Sequence, residues 1–192
     1  MSRSRAGHGV RIIAGKWRGR RLPVADSPGL RPTGDRVREM LFNWLQGHLP
    51  GARVLDLFSG SGALGLEAAS RGAKEVVLVE KVPRLARHLQ HVVAQLPAAP
   101  PIRVEQRDAL SWLRQGCDRP FDLVFLDPPF AAGLWCEALQ ALQEYVWLSP
   151  RAHVYVEAPF RKPPPVPEGW RLEREKRCGE VVARLLLPAT MG

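Results

Sequence analysis

Cysteine is scarce in this chain, with three residues in 192: Cys117, Cys136 and Cys178. No two stand at a C-x-x-C spacing. An odd, scattered set builds neither a disulfide framework nor a zinc cluster, so no metal and a reducing, cytoplasmic setting are expected. Long apolar runs are also missing. Without a stretch of about 18 apolar residues, no segment is expected to span a membrane. The basic N-terminus is not followed by the apolar run that a secretory signal carries. Acidic residues are outnumbered as well, 19 Asp and Glu against 28 Lys and Arg, for a net charge of +9. That shortage is local. Residues 1–38 hold ten basic residues and two acids, which leaves only one net positive charge for the remaining 154. A concentrated basic segment attracts polyphosphate and releases its counterions, although a basic run taken alone is more readily a solvated face, and the motifs below reverse that balance.

The length suits one main domain with a small appendage. Residues 1–34 read as a basic arm and hairpin, and 35–192 as the main domain. Within the first segment, 1–9 is expected to be a mobile arm. Val10–Ala14 and Leu22–Val24 flank Gly15, Trp17 and Gly19 as a basic hairpin or a pair of short strands. A helix is expected from Asp35, with Thr33 as its N-cap. Val37, Met40, Leu41, Trp44, Leu45 and Leu49 fall on one face at helical spacing. From Arg53 the pattern becomes strand then helix, repeated. Strands are expected at Arg53–Leu57, Glu75–Glu80, Ile102–Gln106, Phe121–Leu126 and His153–Glu157, with helices starting near Gly62, Pro83, Ala109 and Gly133. Short continuous apolar runs such as VVLVE suit buried parallel strands. The alternation implies an α/β, doubly wound, mostly parallel sheet that binds its ligand at the carboxyl ends of the strands. Two further strands, near Trp170–Arg174 and Val181–Leu187, are expected to pair antiparallel. A monomer is expected.

Two motifs carry chemistry. The first is D-L-F-S-G-S-G-A-L-G from Asp56, between the first strand of the repeat and its helix. Gly60, Gly62 and Gly65 match G-x-G-x-x-G, and Glu80 follows Gly60 by 20 residues. Glycine lets backbone approach a ligand, the helix N-terminus offers free N–H groups, and an acid at the next strand end can accept from ribose hydroxyls. The glycine run alone fits a nicotinamide dinucleotide as well as S-adenosylmethionine. Asp56 shifts the balance, because a strand-end acid repels a pyrophosphate but suits an ammonium and a sulfonium. Asp108 can accept from an adenine amino group, and is equally typed as a helix N-cap. The candidate donor-binding residues are Asp56, Phe58, Ser59, Gly60, Gly62, Glu80, Lys81, Asp108, Ala109 and Asp127.

The second motif is Asp127-Pro128-Pro129-Phe130, closing the fourth strand of the repeat. The amino group of guanine, adenine or cytosine is a poor nucleophile because its lone pair is delocalised. Two acceptors aimed at its hydrogens favour the pyramidal, nucleophilic form. The Asp127 carboxylate and the Pro128 carbonyl are the candidates, with Pro129 setting the direction of that carbonyl. Phe130 can stack on the base, for about 1–3 kcal/mol. Transfer from an already activated donor needs chiefly positioning.

These motifs resemble those of the class I amino-methyltransferases. Three runs narrow the resemblance to the bacterial RsmD family: RIIAGKWRGRRLP from Arg11, LRPTGDRVREMLFNWL from Leu30 and DLFSGSGALGLEA from Asp56. The resemblance extends from about Arg11 to Pro129. Ala14 stands where a second glycine is expected, and Ser59 where alanine is common. The family implies a seven-stranded Rossmann-like sheet with its last strand antiparallel. It also implies S-adenosylmethionine as donor, S-adenosylhomocysteine as product, and N2 of the guanine conventionally numbered 966 in 16S ribosomal RNA as target. The basic segment then becomes the contact to RNA of the small ribosomal subunit, through Arg11, Lys16, Arg18, Arg20, Arg21, Arg31 and Arg36, with the target base turned out of its stack. A DNA adenine-N6 or cytosine-N4 methyltransferase shares the second motif but needs room for a target-recognition insertion. A non-catalytic RNA-binding assembly factor would not need Gly60, Gly62, Glu80 and Asp127 intact.

Overall fold

The computed structural model describes residues 9–25 and 34–189. Strands β1 (Gly9–Arg11) and β2 (Arg21–Pro23) pair antiparallel, with Val10 opposite Leu22. They are shorter than the alternation predicts. The backbone N–H groups of Ile13 and Ala14 donate instead to the Glu67 carboxylate at 2.8 and 3.0 Å, which pulls the chain off the ladder. Helix α1 (Asp35–Trp44) follows, with Gly34 as an N-cap that offers no side-chain acceptor. Thr33, the expected cap, lies outside the described residues, as does the arm before Gly9. The helix also stops earlier than the spacing predicts: Leu45 is its C-cap, and Leu49 is buried from the turns beyond it.

The remaining elements are β3 (Arg53–Asp56), α2 (Ala63–Ser70), β4 (Glu75–Val79), α3 (Pro83–Ala94), β5 (Ile102–Glu105), α4 (Ala109–Leu113), β6 (Phe121–Leu126), α5 (Trp135–Glu144), β7 (Leu148–Pro159), β8 (Trp170–Cys178) and β9 (Val181–Pro188). The helix expected near Gly133 is delayed. A single 3-10 turn, Phe130–Ala132, follows the prolines, and Gly133 at φ 63° redirects the chain into α5. Strand β7 begins five residues before the expected His153, its register shifting against β6 between Phe121 and Leu123.

Seven strands form one sheet in the order β5-β4-β3-β6-β7-β9-β8. Neighbours from β5 to β7 are parallel, and β9 runs antiparallel to both β7 and β8. The two final strands pair as expected. The chain builds outward from β3 through β4 to β5, then returns to the other side of β3 as β6. The crevice between β3 and β6 at the carboxyl edge is therefore the switch point where such sheets bind ligands.

Period-two alternation sorts the strand residues into two apolar layers. Val54, Val76, Leu78, Phe125 and Tyr155 face α1, α2 and α3. Leu55, Val77, Val124, Val154 and Val156 face α4 and α5. Ile12, Trp17 and Leu22 of the N-terminal hairpin are buried in the first layer, so its apolar side chains share the domain's core. Among the described residues no helix is long and apolar enough to cross a membrane.

Candidate active site

Because β5, β4, β3 and β6 are parallel neighbours, the residues that end them share one edge. Those residues include four acids: Asp56 closes β3, Glu80 follows β4, Asp108 caps α4 just after β5, and Asp127 follows β6. The loop after β3 is built on two of them. Asp56 is buried, and its Oδ2 accepts from the Gly65 N–H at 2.9 Å. A methyl group at Gly65 would sit 2.3 Å from a Leu78 methyl and 3.1 Å from Asp56 Oδ2, so only glycine lets the helix approach this closely. Glu80 Oε2 accepts from the Gly60 N–H at 3.0 Å, and Oε1 from the Val82 N–H at 2.8 Å. Ser59 ties the loop down: its Oγ donates to the Asp56 carbonyl, and its N–H donates to the Val79 carbonyl. Gly60 and Gly62 hold φ of 51° and 76°, the left-handed region glycine adopts without penalty.

Burial pushes the Asp56 carboxyl up to about 7. The Gly65 hydrogen bond opposes the shift, and the charge of nearby Glu80 adds to it. Two carboxylates thus share one enclosed end of the loop. A cation placed between them would relieve both the desolvation and the repulsion, whereas a pyrophosphate would meet two negative groups. The rest of the expected donor set lies around this loop. Phe58 is half-buried, Ala109 is buried, Lys81 is exposed, and exposed Asp108 accepts from the Ser111 N–H at 3.1 Å as a helix N-cap.

At the end of β6, Asp127 is half-buried, Pro128 is buried, and Pro129 and Phe130 are exposed. Phe130 is 41% exposed, unusual for a large aromatic, and lies 5.9 Å from the ring of Trp135 at a 46° tilt. Pro129, at φ −53°, fixes the approach to this corner. On the adjacent strand β7, the Tyr155 hydroxyl donates to Glu157 Oε2 at 2.9 Å, with both side chains buried. Burial raises the Tyr155 phenol well above its ordinary range, and the charges of Glu157 and Asp127 push the same way. The periodicity of β7 gave no warning of this pair. A Glu in an otherwise apolar strand, VYVEA, is the signal that could have found it.

The basic segment is divided by the fold. Arg38 is 1% exposed and does not face solvent. Its guanidinium donates to Asp35 Oδ1 at 2.6 Å, the Arg11 carbonyl at 2.8 Å and Glu67 Oε2 at 3.4 Å. Glu67, fully buried on α2, also pairs with Arg71 at 2.7 Å. The hairpin's turn lies against the far ends of α2 and α3. Gly15, at φ 83°, lies so close to α2 that a Cβ would come 2.0 Å from the Ser70 carbonyl oxygen. The Lys16 ammonium donates to the Ala98 carbonyl, the Trp17 indole to the Pro97 carbonyl and the Arg20 guanidinium to the Gln95 carbonyl, each within 3.0 Å. Arg11, Arg18, Arg21 and Arg36 are exposed, and Arg11 stands 3.9 Å from Asp35. Arg31 lies outside the described residues.

The model of the family described as Conserved hypothetical protein 95 matches residues 10–187. That span runs past the Arg11–Pro129 stretch of the motif resemblance and takes in most of the β8–β9 hairpin. The "Ribosomal RNA small subunit methyltransferase D" of Escherichia coli (strain K12) is 49% identical over 177 residues, covering 92% of this chain and 88% of its own. The Haemophilus influenzae protein of the same name is 48% identical over 178 residues, 92% of each chain. The solved structure of Escherichia coli yhhF superposes with a TM-score of 0.87 at 43% identity, covering 95% of this chain and 99% of that one. With a family model spanning nearly its whole length and relatives close to half identical, this chain is a methyltransferase and belongs to the Conserved hypothetical protein 95 family.

Proposed function

We propose that the protein methylates the exocyclic N2 of a guanine in the 16S ribosomal RNA of the small ribosomal subunit, the one numbered 966, with S-adenosylmethionine as donor. The observation that carries this reading is the meeting, at one sheet edge, of the acid-lined glycine loop and the Asp127–Phe130 corner. The names of the relatives, which specify small-subunit ribosomal RNA for those proteins, support the choice of substrate. A cytoplasmic site of action follows from that substrate.

The residues present fit the donor. Asp56 and Glu80 are two enclosed carboxylates at the loop, suited to a cationic group and to ribose hydroxyls. Phe58, Ser59, Gly60, Gly62, Lys81, Asp108 and Ala109 would complete its seat. S-Adenosylmethionine supplies an activated methyl group and leaves as S-adenosylhomocysteine. The chain's own work is to orient the acceptor. The Asp127 carboxylate and the Pro128 carbonyl accept the two amino hydrogens, which directs the nitrogen lone pair out of the ring's conjugation. Phe130 stacks on the base, and its exposure makes that face accessible. The nitrogen's surplus proton passes to Asp127 or to water, so no strong general base is needed. Exposed Arg11, Arg18, Arg21 and Arg36 are available to phosphates around the target loop.

Small subunits from a strain lacking this methylation, incubated with the protein and tritiated donor, should yield labelled N2-methylguanosine on nucleoside analysis. Label in adenosine, in cytidine or nowhere refutes the proposal.

A further inference from the structure

Beside the catalytic corner stands a buried carboxylate with no part in the chemistry above. Leu126 pairs with Val156 across the parallel β6–β7 ladder. Asp127 follows Leu126 just beyond β6, and Glu157 follows Val156 within β7, so the two acids occupy neighbouring positions at the carboxyl edge. Val154 and Val156 pack toward α4 and α5, and Tyr155 packs on the opposite face against Phe125. Glu157 lies two residues beyond Tyr155 and shares its face. A carboxylate buried to 7% exposure is costly, and costs of this kind are commonly kept where a function uses them. The phenol orients it from below through a 2.9 Å hydrogen bond.

The bases that carry an exocyclic amino group differ in the ring atom beside it. In guanine the amino carbon is flanked by N3 and by N1–H, and the latter is a donor. In adenine and cytosine the ring nitrogen in that place has a lone pair and is an acceptor. An anionic acceptor next to the group that grips the amino hydrogens therefore matches guanine and repels the other two.

We infer that Glu157 is the specificity-determining residue of this site, its carboxylate accepting the N1–H of the guanine whose amino group Asp127 and Pro128 hold. Tyr155 is its positioning residue. The inference rests on the proposed N2 methylation and adds the basis of base choice.

The probe is small-subunit RNA in which the target guanine is replaced by 2-aminopurine. That base keeps the N2 amino group and presents an N1 lone pair where guanine has N1–H. The wild-type protein should favour the guanine RNA in kcat/KM by about 10- to 150-fold, the range for a hydrogen bond to a charged group. Glu157→Gln can donate an amide N–H to the N1 lone pair. It should lose most activity on guanine RNA and bring the ratio of the two substrates close to one. Equal losses on both RNAs, with the ratio unchanged, would make Glu157 merely structural and overturn the inference. Equal use of both RNAs by the wild type would overturn it whether or not the variant folds. The unsubstituted RNA separates this from a failure of the parent reading: N2-methylguanosine must form there, and its absence refutes the N2 assignment itself.

Discussion

Glu67 is the residue whose loss should unfasten the N-terminal hairpin. It is fully buried on α2 and accepts from the Ile13 and Ala14 N–H groups, Arg38 and Arg71. Glu67→Ala would leave the Arg38 guanidinium, itself 1% exposed, with Asp35 and the Arg11 carbonyl as its remaining partners among the described residues, and would strip both backbone donors of their acceptor. Breaking one side of a buried ion pair costs about 3–5 kcal/mol, because the remaining charge stays buried. Whole-domain stabilities run to about 5–15 kcal/mol, so this is a large fraction of the total. For a chain of this size it corresponds to a fall in Tm of roughly 6–20 °C. Urea denaturation should show a lower midpoint with little change in slope. Native-state hydrogen exchange should speed up at Ile13 and Ala14 before it does in β3. Glu67→Gln, which keeps the shape and one acceptor oxygen, should fall between the two. A Glu67→Ala variant destabilised by less than about 1 kcal/mol would refute the view that this carboxylate clamps the hairpin.

Three further outcomes follow from the site. Asp127→Ala should lower kcat/KM by about 10²–10³ and leave donor affinity by calorimetry nearly unchanged; near wild-type turnover would show that the Asp127–Phe130 corner is misread. Asp56, raised by burial from 3.8 to about 7, keeps its proton in the folded state over a range where the unfolded chain has lost it; the stability linked to it is fully present below about pH 3.8 and lost as pH rises through about 7. Asp56→Asn should flatten that window in urea midpoints, and wild-type affinity for the cationic donor should weaken as pH falls below about 7; affinity that ignores pH there counts against an Asp56 contact. Replacing Arg11, Arg21 and Arg36 with alanine should reduce the slope of log affinity for RNA against log salt by about two, whereas Lys16→Ala with Arg20→Ala should leave the slope as it is; an identical slope in the first variant would place the phosphates elsewhere.

How far the sequence carries depends on whether a signal is local. Strand and helix order, the glycine turn and the four strand-end acids are local patterns, and the parallel sheet has to bring them to one edge. The ladder at β1 was misjudged in length because its competitor, Glu67, lies more than fifty residues away and shows in sequence only as an acid in an apolar helix. The end of α1 was misjudged for a related reason. Leu49 keeps the helical spacing and is buried, but it reaches the core from turns past Leu45. Periodicity records which residues are buried, and several backbones can bury the same set. Glu157 was missed because a lone acid in a β-branched strand contradicts the pattern and is easily set aside as an edge residue, when its partner, Tyr155, sits two positions before it.

Charge counting needs the same correction, and the correction has consequences. Eight of the nine net positive charges belong to residues 1–38, which invites a single RNA-binding surface. The fold does not keep them together. Helix α3 leaves the carboxyl end of β4 and finishes near the start of β5, so its last carbonyls lie at the amino edge, away from the glycine loop. Those carbonyls are the negative end of the helix dipole and draw basic side chains. Lys16 and Arg20 donate to the carbonyls just past that end, and Arg38 is buried against Glu67. In contrast, α1 begins toward the carboxyl edge, since its Met40 sulfur lies 3.7 Å from that of Cys178, the last residue of β8, which is level with the end of β7. Arg11 and Arg36 are at that end of the helix. On the proposed function, a phosphate backbone laid across the Asp127–Phe130 corner would meet this second group of arginines, while Lys16 and Arg20 hold the hairpin to the domain. The same basic run is thus split into two physically separate groups, and a measurement that separates stability from salt dependence tells their proposed jobs apart.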